Sequence, residues 1–329
     1  MIFSIDDGQE DSFPLSYELL DECGPQARKR LFEDLIGVMI QLRRLHFDAG
    51  GSLQPNHQPA AAGSSEPAVV VDRPLTRNIN TINTNGFRFA PPRAESVRDY
   101  IDTQHDVLRM VHDVPVPALD ADEIAVQMYA LDTMRARIGA PTARPLPERF
   151  TLSLDHLDDP CDIVVDGRFH LVAIASWKWV STCPAALATP PRWILDDKVY
   201  RADFDTVAAN MKRRTGRRKL KLDLPRNDWL FRGPADVLAR AAHIFQSPKA
   251  LADVFLRHIH PRLSDEAEAA CEERWFDEDV QRMDDFNAWS ELCEGYSDQL
   301  RAQGLDYWDP NPAQILSFLL ETGQVGLET

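Results

Sequence analysis

Residues 150–196 read FTLSLDHLDDPCDIVVDGRFHLVAIASWKWVSTCPAALATPPRWILD, and there Asp155, Asp158, Asp159 and Asp162 crowd around His156. Carboxylates so close together can do two kinds of chemistry. One can take the proton of an attacking hydroxyl as a general base. The others can offer oxygen ligands to a hard divalent cation. The plainer alternative is that they cap backbone amides in a turn that leads into a strand. Other candidates are weaker. His258 and His260 stand next to Pro261, but two histidines alone rarely hold zinc. The five cysteines, Cys23, Cys161, Cys183, Cys271 and Cys293, contain no C-x-x-C pair and read as reduced thiols.

The acidic stretch lies between elements that periodicity makes legible. Leu31, Leu35, Val38, Leu42 and Leu45 predict a helix from about Pro25 to Phe47, ended by Gly50 and Gly51. Residues 51–67 are rich in Pro, Ala, Gly and Ser and read as a surface loop, with a short strand expected over 68–71. Helices follow on the stripes Val97, Tyr100, Ile101, Leu108, Val111 and Ile124, Met128, Leu131, Ile138, the second opened by a capping box of Asp120 and Glu123. The period then becomes extended. Asp162–Asp166 and Phe169–Ile174 read as two strands joined by a two-residue turn at Gly167-Arg168. Helical periodicity returns after Pro234 and Pro248, through Phe286, Trp289, Cys293, Tyr296 and Leu300, and in a last helix stopped by Gly323. The expected fold is α+β and mainly helical, one domain over 1–329 wrapped around a small β-hairpin.

In order and spacing, Phe150, Leu152, Leu157, Ile163, Val165, Asp166, Ile174, Trp177, Trp179, Pro184, Pro191 and Trp193 match a family pattern. It runs roughly F-x-L-x-H-x-D-L, a short loop, N-I-x-V-D, a hairpin turn, I-I-D-W-E-W and a proline-rich tail. The segment resembles the catalytic segment of the aminoglycoside phosphotransferase and choline-kinase-like family, in the protein-kinase-like superfamily. The resemblance extends to Arg30–Leu53, to Arg98–Leu108 and to the helix around Tyr129, and so covers roughly residues 11–200. It implies a C-lobe in which a loop aspartate orients the attacking hydroxyl, and an asparagine and a hairpin aspartate hold magnesium against ATP.

Carried over residue by residue, the family's loop histidine falls on Leu154 or Asp155. Its loop aspartate falls on His156 or Leu157, a difference of one residue in register. The metal asparagine falls on Asp162, the hairpin aspartate on Ser176 and the glutamate that follows it on Lys178. Neither register leaves a carboxylate at the base position, and Lys178 reverses a charge where cations would sit. A hydroxyl is also a poor magnesium ligand beside a carboxylate. Only about ten residues precede the resemblance, no G-x-G-x-x-G occurs near the start, and Lys29 is the only lysine before Lys178. An N-lobe needs on the order of a hundred residues, so it is expected to be missing. Residues 1–20, with Phe3, Phe13, Leu15, Leu19 and Leu20, are expected to fold back over the face it would cover. The expected protein is pseudokinase-like, without a cofactor, and works by binding another protein. The alternative is a small-molecule phosphotransferase using ATP and magnesium, with Asp155 or Asp158 as base and Asp162 as metal ligand.

Composition narrows the partners. Acids outnumber bases 52 to 36, giving a net charge of −16. Such a field repels phosphate backbones and anionic lipid, so neither nucleic acid nor a membrane is an expected partner. The apolar run Leu171–Trp179 is broken by Lys178 and falls far short of the ~20 residues of a membrane span. No secretory leader is legible at the start, where Asp6, Asp7, Glu10 and Asp11 stand, so a cytoplasmic location is expected. Against this acidity the run Lys212 to Lys221 (KRRTGRRKLK) reads as a basic loop, of a kind that can also serve as a nuclear import address.

Overall fold

The chain, as a computed structural model, is described over residues 12–55, 69–117, 119–138, 149–154, 157, 159–217, 234–264, 268–305 and 312–324. Its strands are β1 (Phe13–Pro14), β2 (Gly51–Pro55), β3 (Val69–Asp72), β4 (Phe150–Leu152), β5 (Ile163–Val165), β6 (Leu171–Ile174) and β7 (Ser181–Pro184). They make two antiparallel sheets, ordered β1-β5-β6 and β3-β2-β7-β4. The helices are α1 (Tyr17–Glu22), α2 (Pro25–Leu42), α3 (Arg77–Thr84), α4 (Val97–His112), α5 (Ala121–Ile138), α6 (Arg192–Asp196) and α7 (Lys198–Arg217). They continue with α8 (Pro234–Gln246), α9 (Leu251–Val254), α10 (His260–Leu263), α11 (Glu268–Asp277), α12 (Val280–Ala302) and α13 (Pro312–Glu321). The fold is α+β and mainly helical, as expected, but two sheets stand where one hairpin was anticipated.

Within residues 1–329 there are two compact units, each stitched from separate stretches. The first draws on Met1–Leu75, Arg93–Val97 and Leu146–His243, the second on Thr76–Pro92, Arg98–Pro145 and Ile244–Thr329. Both sheets belong to the first.

The first unit is built on α2. Its stripe of Leu31, Phe32, Leu35 and Ile36 is wholly buried against Ile163, Val165 and Ile174 of the β5–β6 hairpin and Trp193, Ile194 and Phe204 of α6 and α7. Each such side chain contributes about 1.5–3 kcal/mol by leaving water. Phe13 and Pro14 pair with Val165 and Val164, and Leu15 and Leu20 are buried in the same core. The Arg28 guanidinium fastens this N-terminal stretch. It donates to the Leu20 carbonyl (3.1 Å) and Cys23 carbonyl (3.4 Å) at the end of α1 and to Asp203 Oδ2 of α7 (2.9 Å). Carbonyls at a helix end have no partner of their own, and a charged donor satisfies them well. Residues Phe13 to Leu20 therefore fold back onto β5 and α2, while Phe3 lies outside the described residues.

Several expected boundaries are corrected. The helix predicted over 25–47 stops at Leu42, because Thr151 Oγ1 donates to the Leu42 carbonyl (3.0 Å) and Arg149 Nη2 to the Arg43 carbonyl (2.8 Å), taking acceptors another turn would use. Leu45 is exposed, Gly50 bridges to Ala94, and Gly51 opens β2. The surface loop expected over 51–67 thus begins with a strand, and residues 56–67 lie outside the described residues. The strand expected over 68–71 is Val69–Asp72. The basic loop 212–221 is helical through Arg217, the end of α7, and residues 218–221 lie outside the described residues.

The two-residue turn at Gly167-Arg168 becomes a three-residue connection. Asp166 N donates to the His170 carbonyl (3.1 Å) and Phe169 N to the Asp166 carbonyl (2.9 Å), and the positive φ of 63° falls on Phe169. A bulge between Val164 and Val165 shifts the register and moves the left-handed residue with it.

Among the described residues of the second unit, the regular elements are all helices. The capping box at α5 forms as expected: Glu123 N donates to Asp120 Oδ1 (2.8 Å) and Asp120 N to Glu123 Oε2 (3.3 Å). Tyr296 and Leu300 of α12 pack with Ile315, Phe318 and Leu319 of α13, which ends before Gly323 at φ 73°. His260 is a core residue whose ring meets those of Tyr129 and Phe255 edge-on, each at 5.9 Å. No helix among the described residues is long and apolar enough to cross a membrane. All five thiols are free, Cys161 exposed and the other four buried.

Candidate functional site

Leu154 and Leu157 are both buried in the α2 core, so the stretch between β4 and β5 is anchored from within. Between and beyond them, Asp155, His156 and Asp158 lie outside the described residues. From Asp159 the geometry is defined. Asp159 Oδ1 accepts from the Cys161 amide (2.8 Å) and so starts a single 3-10 turn, Pro160–Asp162, with proline at its first position. For this aspartate the capping role expected of turn residues is the one observed.

Asp162 leads into β5 and Ser176 follows β6, at the same end of the hairpin. The Asp162 carbonyl accepts from Ala175 N at 2.7 Å, one step beyond the Ile163–Ile174 pair. The structure therefore brings the Asp162 and Ser176 positions together, as their spacing in sequence implies. Both side chains are half-buried. Lys178 follows in a turn, its amide 3.5 Å from Ser176 Oγ, and its ammonium lies 4.8 Å from the centroid of the Trp179 ring. Trp179 holds φ at 65°, which swings the chain out of the strand. Trp177 is 38% exposed, since β6 has already ended at Ile174.

The opposite end of the hairpin is held by two carboxylates. Asp166 Oδ1 accepts from the amides of Arg168 (2.8 Å) and His170 (2.9 Å). Burial works against its ionisation, but these two N–H donors and the charges of His170 and Arg168 outweigh burial and hold its pKa below the usual value. Asp34 of α2 reaches across with Oδ2, 3.0 Å from His170 Nδ1 and 3.2 Å from Leu171 N. Sequence reasoning missed Asp34, since a polar residue on an amphipathic helix carries no signal of a partner 136 residues away.

The thiol of Cys161 is the one exposed sulfur near this site. Its hydrogen bond to Asp159, then slight burial and the charges of Asp159 and Asp162 raise its pKa, so it stays a protonated, weak nucleophile. Among the described residues, what stands at this end of the hairpin is the Asp162 carboxylate and the Ser176 hydroxyl, with an ammonium close behind in sequence. Among the described residues no group of three or more His, Cys, Asp or Glu side chains is placed to hold a metal ion. No protein-family model matches the chain, and no similar protein was found among the curated proteins or the solved structures.

Proposed function

We propose that this chain is a catalytically degenerate, kinase-like C-lobe of the aminoglycoside phosphotransferase and choline-kinase type, acting by binding or regulation rather than by phosphoryl transfer. Support comes from the order β4, anchored loop, 3-10 turn, β5–β6 hairpin, which is the order the resemblance implies for a catalytic segment. One observation carries the reading: beside Asp162, where the family would set a second metal-holding carboxylate, the chain has Ser176 and then Lys178. Two magnesium ions against a triphosphate need several anionic oxygens. A lone carboxylate followed by a cation supplies the wrong charge.

The expected result is that millimolar ATP with magnesium leaves the melting temperature unchanged to within about 1 °C. Occupation at a hundredfold excess over Kd would add about 2.7 kcal/mol and shift it by about 5 °C or more. A shift of that size would overturn the reading. If Asp162→Ala then abolished the shift, the phosphotransferase with Asp162 as metal ligand would stand in its place.

A further inference from the structure

Helices α4, α5 and α12 of the second unit, with Trp275 of α11, line a half-open cavity of about 610 Å³. That is the size of a small-molecule site. Most of its polar groups are satisfied by the protein. Arg135 pairs with Asp106 (3.6 Å). Arg282 stacks over the Trp275 ring (4.7 Å), donates to the Trp275 carbonyl, and lies near Glu278 (3.6 Å) and Asp132 (3.9 Å). Asp279 caps α12 through Gln281 N (3.0 Å), and Asp285 takes the Gln281 side-chain amide (3.0 Å).

His112 is also accounted for. Burial lowers its pKa, more than its hydrogen bonds to Gln127 and Pro248 raise it, so the ring is neutral. Its Nε2 faces the Pro248 carbonyl (3.2 Å), which can only accept, so Nε2 carries the proton. Nδ1 lies 3.0 Å from Gln127 Oε1, and with Nε2 protonated it accepts from this amide once the amide's oxygen and nitrogen exchange places.

Three groups are left over, and all three come from one face of one helix. His105, Arg109 and Asp113 follow at intervals of four, the last held helically by its amide bond to the Arg109 carbonyl (2.8 Å). His105 is 3% exposed, yet its Nε2 meets no protein hydrogen-bond partner. Burial, with the charge of Arg135, takes its pKa down to about 4, so it lines the cavity as a neutral ring. Among the described residues neither the Arg109 guanidinium nor the Asp113 carboxylate makes a side-chain hydrogen bond or a close ion pair. Arg109 is exposed and Asp113 half-buried, so both charges stand at the open side of the cavity within reach of a ligand. Opposite these groups stand apolar walls: Met128, Leu131, Leu292 and the indole of Trp289.

We propose that this cavity binds a zwitterionic small molecule of the amino-acid type with an apolar or aromatic side chain. Arg109 takes its carboxylate through the guanidinium fork, Asp113 takes its ammonium, and the apolar walls take the side chain. Groups four apart on a helix lie about 5–6 Å apart at Cβ, which suits a carboxylate and an ammonium carried on one carbon. Placing a cation and an anion on the same face selects for ligands that bear both charges.

Titration calorimetry on the full chain with three matched probes tests this: L-tryptophan with both charges, tryptamine with the ammonium alone, and indole-3-propionate with the carboxylate alone. L-Tryptophan is expected to bind about tenfold or more tighter than either, the value of one charge-assisted hydrogen bond. Arg109→Gln is expected to erase its margin over tryptamine, and Asp113→Asn its margin over indole-3-propionate, with melting temperatures little changed because neither side chain makes a hydrogen bond or a close ion pair among the described residues. Ala288→Trp, which fills the cavity from α12, is expected to abolish binding. Equal affinities, no heat from any probe at about 10 mM, a preference for either singly charged probe, or margins that survive both substitutions would each overturn the proposal.

Discussion

Gly51→Ala is expected to destabilise the first unit by about 3 kcal/mol, seen as a lower urea midpoint. A Cβ at residue 51 would stand 2.0 Å from the Asp72 carbonyl oxygen and 3.2 Å from its carbon and from Val71 Cγ1. The obstacle is backbone, so it cannot turn aside as a flexible side chain would. Strand β2 is also held from its other edge. Gly51 N donates to Thr182 Oγ1 (3.0 Å), and the Thr182 hydroxyl faces the Ala49 carbonyl (2.9 Å). Any shift that relieves the clash therefore breaks bonds to β3 or to β7. Gly37→Ala is the matched control. Gly37 sits within α2, where an added Cβ meets nothing within 4 Å, and that change is expected to stabilise by about 0.5–1 kcal/mol. Opposite signs for one chemical change would verify the close β2–β3 approach, and equal signs would refute it.

Asp196→Ala is the second large effect, expected to cost about 2 kcal/mol at pH 5. Asp196 Oδ1 lies 2.5 Å from His243 Nε2, and its Oδ2 accepts from Arg192 (3.0 Å). The His243 side chain is 5% exposed, so without the carboxylate its Nε2 would be buried and unpaired. The same pair predicts a pH dependence. Burial opposes ionisation of Asp196, but the hydrogen bond and charge of His243, with those of Arg192, bring its pKa below the ordinary 3.8. A carboxylate whose folded pKa is depressed contributes stability above its unfolded pKa, and loses it as pH falls through the folded one. The stability gap between the parent chain and Asp196→Ala should therefore hold at pH 5 and narrow progressively below pH 3.8. Urea titrations at pH 5 and pH 3 that returned the same gap would count against a charged Asp196 in this contact.

The legible and illegible parts of the molecule separate by the range of the forces involved. Helices α4, α5, α12 and α13 follow from apolar stripes and from caps a few residues away, such as Asp120 with Glu123 and Gly323, which operate wherever the helix ends up. Strand β7 gave no such signal. Ser181–Pro184 is short and polar, contains a proline, and is extended because β2 and β4 lie on either side of it. The premature end of α2 has the same origin, since Arg149 and Thr151 arrive from more than a hundred residues away. At the hairpin, the two strands were legible from their extended period, whereas the grip of Asp34 was not. The cavity of the second unit was the least legible of all. Its His105–Arg109–Asp113 face resembles any solvated helix surface until neighbouring helices bring apolar walls beside it.

The stitched connectivity of the first unit has a cost during synthesis. Helices α1 and α2 and the residue after α2 reach distant partners through pairs such as Asp21 with Tyr200, Arg28 with Asp203 and Arg43 with Ala188, which lie 179, 175 and 145 residues apart. At about 5–20 residues per second, the ribosome takes roughly 10–30 s to deliver that second half. For that interval Leu31, Phe32, Leu35 and Ile36 have only near neighbours such as Leu15 and Leu20 to pack against, and much of a greasy helix stands in open water. Chaperone cover at this stage, rather than the intrinsic stability of the finished fold, would then govern how much of the protein a cell recovers.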